Sequence, residues 1–313
     1  GVKPFGVDFF RSRLNWRAAR ELRKIIEVLR PSLIHAHASR AAFPLSFALS
    51  KDRRFPVVYT VHSYHFLGKG LFSRYLGALA ERRCHSMADC STFVCGYDME
   101  VAREWKLLPE SRARRLIYNG IDPRDFPNPK QDSGRGVLFL GNLIHQKDPE
   151  IFVHMAALLK RRGRDLHFTM VGEGNLRSRV EKLIDYYQMR DDFEITGALP
   201  REKALEYLNK ARALVMPSRW EGAPIVLLEA MYLMIPIVVS NFSSIGEFIS
   251  NEEEGLVVEE RKPEAYADAL ERLLYEDETR KRVISKARRS IEQRFLRSQI
   301  TEQYIELYEE LLS

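Results

Sequence analysis

Residues 213–240 read ALVMPSRWEGAPIVLLEAMYLMIPIVVS. The two ends, ALVMP (213–217) and IPIVV (235–239), are short, apolar runs of the kind that form buried strands. Between them, SRWEG reads as a loop, and a helix is expected to begin near Pro224, because proline suits the first helical turn. Strand, loop, helix and strand in that order make a βαβ unit, which requires parallel strands. Two glutamates, Glu221 and Glu229, interrupt this apolar stretch. Buried charge without a partner is costly, so each needs an ion pair, solvent or a ligand.

The same alternation extends in both directions. Strands are expected at 33–37, 57–61, 91–95 and 115–118, then at 137–141, 166–171, 193–196 and 255–258. Amphipathic segments separate them. In NWRAARELRKIIEVLR (15–30), Leu22, Ile25, Ile26 and Leu29 share one face. The stretch DPRDFPNPKQDSGRG (122–136) is rich in Pro, Gly, Asp and Asn and reads as an interdomain break. Two α/β domains are therefore expected, over 1–125 and 137–295, with a linker at 126–136 and a helical tail at 296–313.

The chain has 313 residues, 45% hydrophobic and 29% charged, with a net charge of +6. That composition suits a globular protein of two domains. No apolar run reaches the length of a membrane span, and no signal-peptide pattern opens the sequence. Cys84, Cys90 and Cys95 form no CxxC pair, so buried thiols are expected in preference to a zinc site or a disulfide framework. Charge is unevenly placed: residues 1–130 carry 23 Lys and Arg against 12 Asp and Glu, while the remainder is acidic by 5. Anionic lipid headgroups or a phosphorylated acceptor would suit the basic half, though a solvated helix face is the better reading of any single cluster. No nucleic-acid-binding motif accompanies the charge, and no nucleic-acid partner is expected.

In open α/β sheets ligands lie beyond the carboxyl ends of the strands. His37, His62, Gly141, Gly172 and Ser218 all follow strand ends. The amides of Gly222, Ala223, Ile225 and Val226 at the start of a helix, with its dipole, suit a phosphate. A carboxylate cannot help bind phosphate, so Glu221 and Glu229 face something neutral, such as sugar hydroxyls; helix-capping acids are the equal alternative. Gly172 and Gly174 allow a tight turn and close backbone approach, which serves either a ligand or packing. Lys147 precedes an expected helix start and has the reach to act on a diphosphate as a point charge. His35 and His37 share a strand face, but no third ligand lies at a fitting spacing, so no metal is expected.

Taken together, HAHASRAA (35–42), YTVHSYHF (59–66), YNGID (118–122), FLGNLIHQKD (139–148), VGEGNLRSRVEKLI (171–184) and the run from Ile195 to Met231 resemble glycosyltransferase family 4. The pattern of Glu221, seven residues and Glu229 around EGAPIVLLEAM is the most specific of them. The resemblance covers nearly the whole chain. It implies the GT-B architecture of two Rossmann-like doubly wound domains, with the tail at 296–313 packing back toward the N-terminal one. It also implies a retaining, metal-independent transferase without a cofactor. The expected donor is a nucleotide sugar, with UDP as the expected nucleotide, and the acceptor a glycan or glycolipid of cell-surface polysaccharide assembly. The expected location is cytoplasmic, on the inner face of a membrane.

By the same resemblance, Glu229 meets the ribose hydroxyls and Glu221 the donor sugar. Lys147 and the amides after Glu221 bind the diphosphate, His62 contacts the sugar or phosphate near the reacting carbon, and Gly172, Gly174 and Leu199 frame the base. Three departures from the family pattern stand out. Asn142 occupies the place of an arginine five residues before the lysine, so one phosphate cation is lost unless Arg219 or another basic residue substitutes. Tyr232-Leu233-Met234 replaces small residues and glycine. The family's first strand and glycine-rich loop are expected to precede the first residue here. Two rival functions follow: a binding subunit impaired in catalysis, and a sugar-nucleotide epimerase on the same scaffold.

Overall fold

The computed structural model describes residues 3–9, 16–49, 53, 55–64, 66–68, 70–127 and 136–313. Arg11 and Arg13 of the basic N-terminal segment and most of the expected linker, residues 128–135, lie outside the described residues. The chain divides into two compact units, residues 1–119 with 300–313, and residues 120–299.

In the first unit, helix α1 (Trp16–Leu29) precedes β1 (Ile34–His37), α2 (Ala38–Ala48), β2 (Val57–Val61), α3 (Leu71–Met87), β3 (Cys90–Phe93), α4 (Gly96–Glu104) and β4 (Ala113–Leu116). The four strands are parallel and lie side by side in sequence order. Right-handed crossovers that always step the same way put the connecting helices on one face. Residues alternate accordingly along β2. Val57, Tyr59 and Val61 pack with Ala42 and Leu45 of α2, Ala78 and Cys84 of α3, and Val101 of α4. Val58 and Cys90 instead pack with Ile300 and Leu307 of the last helix. Leu22 and Ile26 of α1 join the first core, whereas Leu29 at the helix end is half exposed. The strand expected at 115–118 begins two residues earlier, at Ala113. Among the described residues it is the edge of the sheet, paired to β3 alone, and an edge tolerates the charges of Arg114 and Arg115 that hid it in the sequence.

The second unit contains β5 (Gly136–Leu140), α5 (Pro149–Arg161), β6 (His167–Val171), α6 (Arg177–Tyr186), β7 (Phe193–Gly197), α7 (Arg201–Lys210), β8 (Ala213–Met216), α8 (Ile225–Tyr232), β9 (Ile237–Ser240), β10 (Leu256–Val258), α9 (Pro263–Tyr275) and α10 (Asp277–Arg294). Helix α11 (Arg297–Leu312) then runs into the first unit's residues. All six strands are parallel, in the order β10-β9-β8-β5-β6-β7. The chain enters at β5 in mid-sheet, moves out to β7, then returns to β8 and moves out the other way. This is the doubly wound arrangement, and its strand order reverses between β5 and β8. A crevice opens at such a reversal, beyond the carboxyl ends of those two strands. Among the described residues the first unit has no reversal.

The Tyr232-Leu233-Met234 departure is explained locally. Met234 has φ 56°, in the left-handed region that glycine favours. Its amide donates to the Met231 carbonyl and that of Ile235 to the Ala230 carbonyl, which closes the end of α8 as a Schellman motif. Tyr232 is held by the Arg288 guanidinium, 3.6 Å from its ring centre. The tyrosine is thus packed, and the methionine keeps a turn that costs about 1–2 kcal/mol without glycine.

Candidate active site

The loops after β5 and β8 are fastened together by side chains from both and from a third loop. Asp148 sits just before Pro149, the first residue of α5, with φ 49°. Its carboxylate does not cap the helix. It accepts from Arg219 Nη2 at 2.7 Å and from Arg261 Nη2 at 2.5 Å, and its side chain is almost wholly buried. Arg261, which follows β10, also donates to the carbonyls of Pro217 (2.8 Å) and Ser218 (3.0 Å). Its Nε is buried without a partner. The Arg219 amide donates to the Gln146 carbonyl at 2.7 Å, and Gln146 Nε2 donates to the Trp220 carbonyl at 2.9 Å.

This clamp places Lys147 beside Glu221. Lys147 Nζ donates to Glu221 Oε1 at 2.5 Å, and both side chains are mostly buried. Glu221 ends the loop that leads into α8. Ser244 Oγ, from the loop between β9 and β10, donates to the carbonyls of Glu221 (3.1 Å) and Gly222 (2.6 Å) and fixes that entry. Pro224 precedes the helix and Ile225 opens it. Ile225 and Val226 in the first turn have no carbonyl to bond within their own helix, and the positive end of the dipole is there. Lys147, Glu221, Gly222 and Ala223 are therefore brought together at the strand-order reversal.

Glu229 lies one turn further along α8, buried, and is ion-paired with Arg201. Burial pushes its carboxyl up, and Arg201 opposes that shift. Arg201 is the first residue of α7, where the helix dipole disfavours a cation, so the pair satisfies both groups. Half-buried Leu199 lies two residues before it. In this structure, then, each of the two glutamates in the apolar stretch has a basic partner.

Gly172 and Gly174 are required by packing. A Cβ on Gly172 would sit 2.0 Å from the Gly141 carbonyl oxygen, and one on Gly174 2.3 Å from that of Leu143. The loop after β6 therefore rests directly on the backbone of the loop after β5, bonded through Leu143 to Glu173 and Leu176 to Leu143. Asn142 lies exposed at this junction. Arg219, one candidate substitute for the missing arginine, is ion-paired with Asp148.

His62 belongs to the first unit, just past β2. Its Nε2 lies 3.2 Å from Nδ1 of His37, the last residue of β1. His35 stacks beside His37, with ring centres 4.0 Å apart, and its ring nitrogens meet Tyr308 and Thr60 hydroxyls, each at 2.6 Å. Both His35 nitrogens are thus used, and the ring ties α11 to the sheet. Burial is the largest influence on all three and lowers them, His35 to about 3. The neutral His37–His62 pair supplies one donor and one acceptor.

Residues 121–290 match the family model for glycosyl transferases group 1, and residues 1–125 that for glycosyltransferase family 4. The chain belongs to the glycosyl transferases group 1. This glycosyltransferase is 30% identical over 275 residues to an alpha-D-kanosaminyltransferase of Streptomyces kanamyceticus, covering 81% of this chain and 71% of that one. It is 27% identical over 201 residues to the amylovoran biosynthesis glycosyltransferase AmsK of Erwinia amylovora, covering 61% and 49%. Its fold is similar to that of HepE of Anabaena, solved in complex with UDP and glucose: the TM-score is 0.81 at 15% identity, over 97% of this chain and 84% of the other. The expected GT-B α/β class is therefore that of its structural neighbours.

In this glycosyltransferase Lys147, Glu221 and Glu229 stood out in the sequence, whereas the side chains that hold them or their loops, Asp148, Arg201 and Arg261, did not. Arg201 carried a faint signal as a cation opening a helix beside Leu199; Arg261 carried none. Replacing Arg261 by methionine should remove donors from two loop carbonyls and lower stability by about 1.5–3 kcal/mol. Urea unfolding checks this, and a loss under about 0.5 kcal/mol would show that the clamp holds nothing.

The histidines give a pH dependence with a definite sign. Their folded values lie below the unfolded value of 6.5, so the unfolded chain takes up protons first. Stability from this cluster should fall as pH drops from about 6.5 toward about 3. Glu81, a buried carboxyl raised to about 7, acts oppositely as pH rises from 4.5. The histidine share is therefore read as wild type minus His37→Gln: the wild type should lose more stability between pH 7.5 and pH 5 on the order of the shifts involved. Parallel curves would contradict it.

Proposed function

We propose that this protein transfers a sugar, with retained anomeric configuration, from a nucleotide-sugar donor to a glycan or glycolipid acceptor of cell-surface polysaccharide assembly. UDP is the proposed nucleotide, a choice supported by the UDP and glucose named for the HepE structure. Polysaccharide assembly is supported by the similarity to the amylovoran biosynthesis glycosyltransferase. The observation that carries the reading is the Lys147–Glu221 pair at the start of α8, in the crevice where strand order reverses.

In this reading the diphosphate takes Lys147 and the first-turn amides of α8, which neutralise charge as it develops on the leaving group. Glu221, released from Lys147, accepts from hydroxyls of the donor sugar. Glu229 accepts from the ribose hydroxyls, with Arg201 opposing the upward pull of burial on its carboxyl. Gly172, Gly174 and Leu199 border the base, and His62 contacts the donor sugar or its phosphate. The bond between the anomeric carbon and the diphosphate oxygen breaks, and a bond from that carbon to the acceptor oxygen forms on the same face. The acceptor's proton passes to the departing phosphate oxygen. The proposed domains are 1–125 and 137–295, and the proposed place of action is an anionic membrane surface on the cytoplasmic side.

A second reading, binding without turnover, is favoured by one observation: Asn142 is not a cation, and Arg219 is held by Asp148. Asn142→Arg decides between them. If the site is active but short of one cation, the substitution should raise turnover of UDP-sugar by one to three powers of ten, about the effect of a single transition-state donor. It should change UDP affinity much less, since the added charge acts on the leaving group. Tight UDP binding with no sugar consumed by wild type or variant would establish the second reading.

A further inference from the structure

Helix α3 carries an apolar stripe on its outer face. A helix on a globular surface normally turns its apolar stripe inward. Here the inward face buries Glu81 and His85 beside Ala78, Cys84 and Met87. Glu81 is hydrogen-bonded to Tyr59, and His85 to Tyr64 and Ser91. The outward face carries Leu71 (84% exposed), Phe72 (76%), Tyr75 (60%), Leu76 (48%) and Leu79 (41%). These five recur at spacings of three and four, so they form one stripe along the first turns of the helix. Arg82 and Arg83, three and four residues beyond Leu79, continue the same row.

The charges of those two arginines are not cancelled by their contacts. Arg82 donates to the carbonyls of Trp105 and Lys106, and Arg83 to the hydroxyl and carbonyl of Ser46, all neutral oxygens. The other basic cluster of this unit is different, since Arg112 pairs with Asp89 and Arg115 with Glu310. Arg83 also stacks on Phe47 at 3.8 Å, and Phe47 meets the exposed ring of Trp16 edge-on at 4.6 Å. An apolar stripe, two uncancelled arginines and an exposed tryptophan thus form one surface, with Arg20 and Lys24 exposed further along α1.

We propose that this surface docks on a bilayer containing anionic lipid, with Leu71, Phe72, Tyr75, Leu76 and Leu79 entering the acyl boundary and Arg82 and Arg83 meeting headgroups. Apolar side chains flanked by arginine and tryptophan match the layering of a membrane interface. The positive excess of 11 over residues 1–130 attracts an anionic surface and repels a second copy of itself. The inference deepens the proposed function, resting on its lipid-borne acceptor, and assigns the face that approaches the lipid.

Co-sedimentation of the full chain with phosphatidylglycerol–phosphatidylcholine vesicles, and with phosphatidylcholine alone, is the test, with UDP affinity measured in parallel. Wild type should bind the anionic vesicles, more weakly as salt rises. A Leu71→Ser, Phe72→Ser, Leu76→Ser variant should lose about a hundredfold in partitioning. An Arg82→Gln, Arg83→Gln variant should lose about tenfold, and only on anionic vesicles. Both should keep wild-type UDP affinity. Wild type that ignores vesicles, or variants that bind them as well as wild type, would overturn the inference. So would a wild-type dimer that the serine substitutions dissociate. If vesicles bind as described but UDP does not, the proposed function fails while the docking surface stands.

Discussion

Asp148 is the contact on which the loops after β5 and β8 depend. A carboxylate with so little exposure is tolerated only when it is paired and hydrogen-bonded, and two guanidinium groups meet it from different loops. Its left-handed backbone costs of order 1–3 kcal/mol, which the two arginines overdetermine. Because Arg261 also holds the Pro217 and Ser218 carbonyls, one buried charge fixes the spacing between the loops after β5 and β8. Lys147 and Glu221 hang from those loops. Removing the buried carboxylate would leave two arginines uncompensated and release both sides of the crevice.

The two units solve the covering of a parallel sheet differently. In the second, the return of the chain to β8 places helices on both faces and opens the crevice at the same time. In the first, every described crossover steps one way, so one face would lie open without α11. Ile300 and Leu307 fill that face, and Tyr304 and Tyr308 reach Thr60 and His35. Helix α11 is therefore structural to the sheet that carries His62.

How much of this could be read from the sequence follows from the range of each interaction. The strands were legible because buried parallel strands are short, apolar and bounded by turns; all five residues of VVYTV are buried. β4 was displaced because an edge strand can carry two arginines. Glu221, Glu229 and Lys147 stood out as charges beside strand ends and helix starts. Their partners did not, because Asp148 and Arg261 lie 113 residues apart and Arg201 and Glu229 lie 28 apart, and no local pattern encodes such pairs. Gly172 and Gly174 were legible as close approaches, but only the structure shows that the backbone approached is that of the neighbouring loop. The contact of His37 with His62 depends on the register of β1 against β2 and was likewise hidden.

The central claim is that Lys147, positioned against Glu221 at the start of α8, receives the diphosphate of the donor. Calorimetric titration of UDP and of uridine into wild type and Lys147→Gln addresses it directly, because the two ligands differ only in that diphosphate. Lys147→Gln should weaken UDP by about tenfold to a hundredfold, the worth of a charged hydrogen bond, and leave uridine unchanged. Equal affinities of wild type and variant for UDP, or an equal loss for both ligands, would contradict the placement of the phosphate at this lysine.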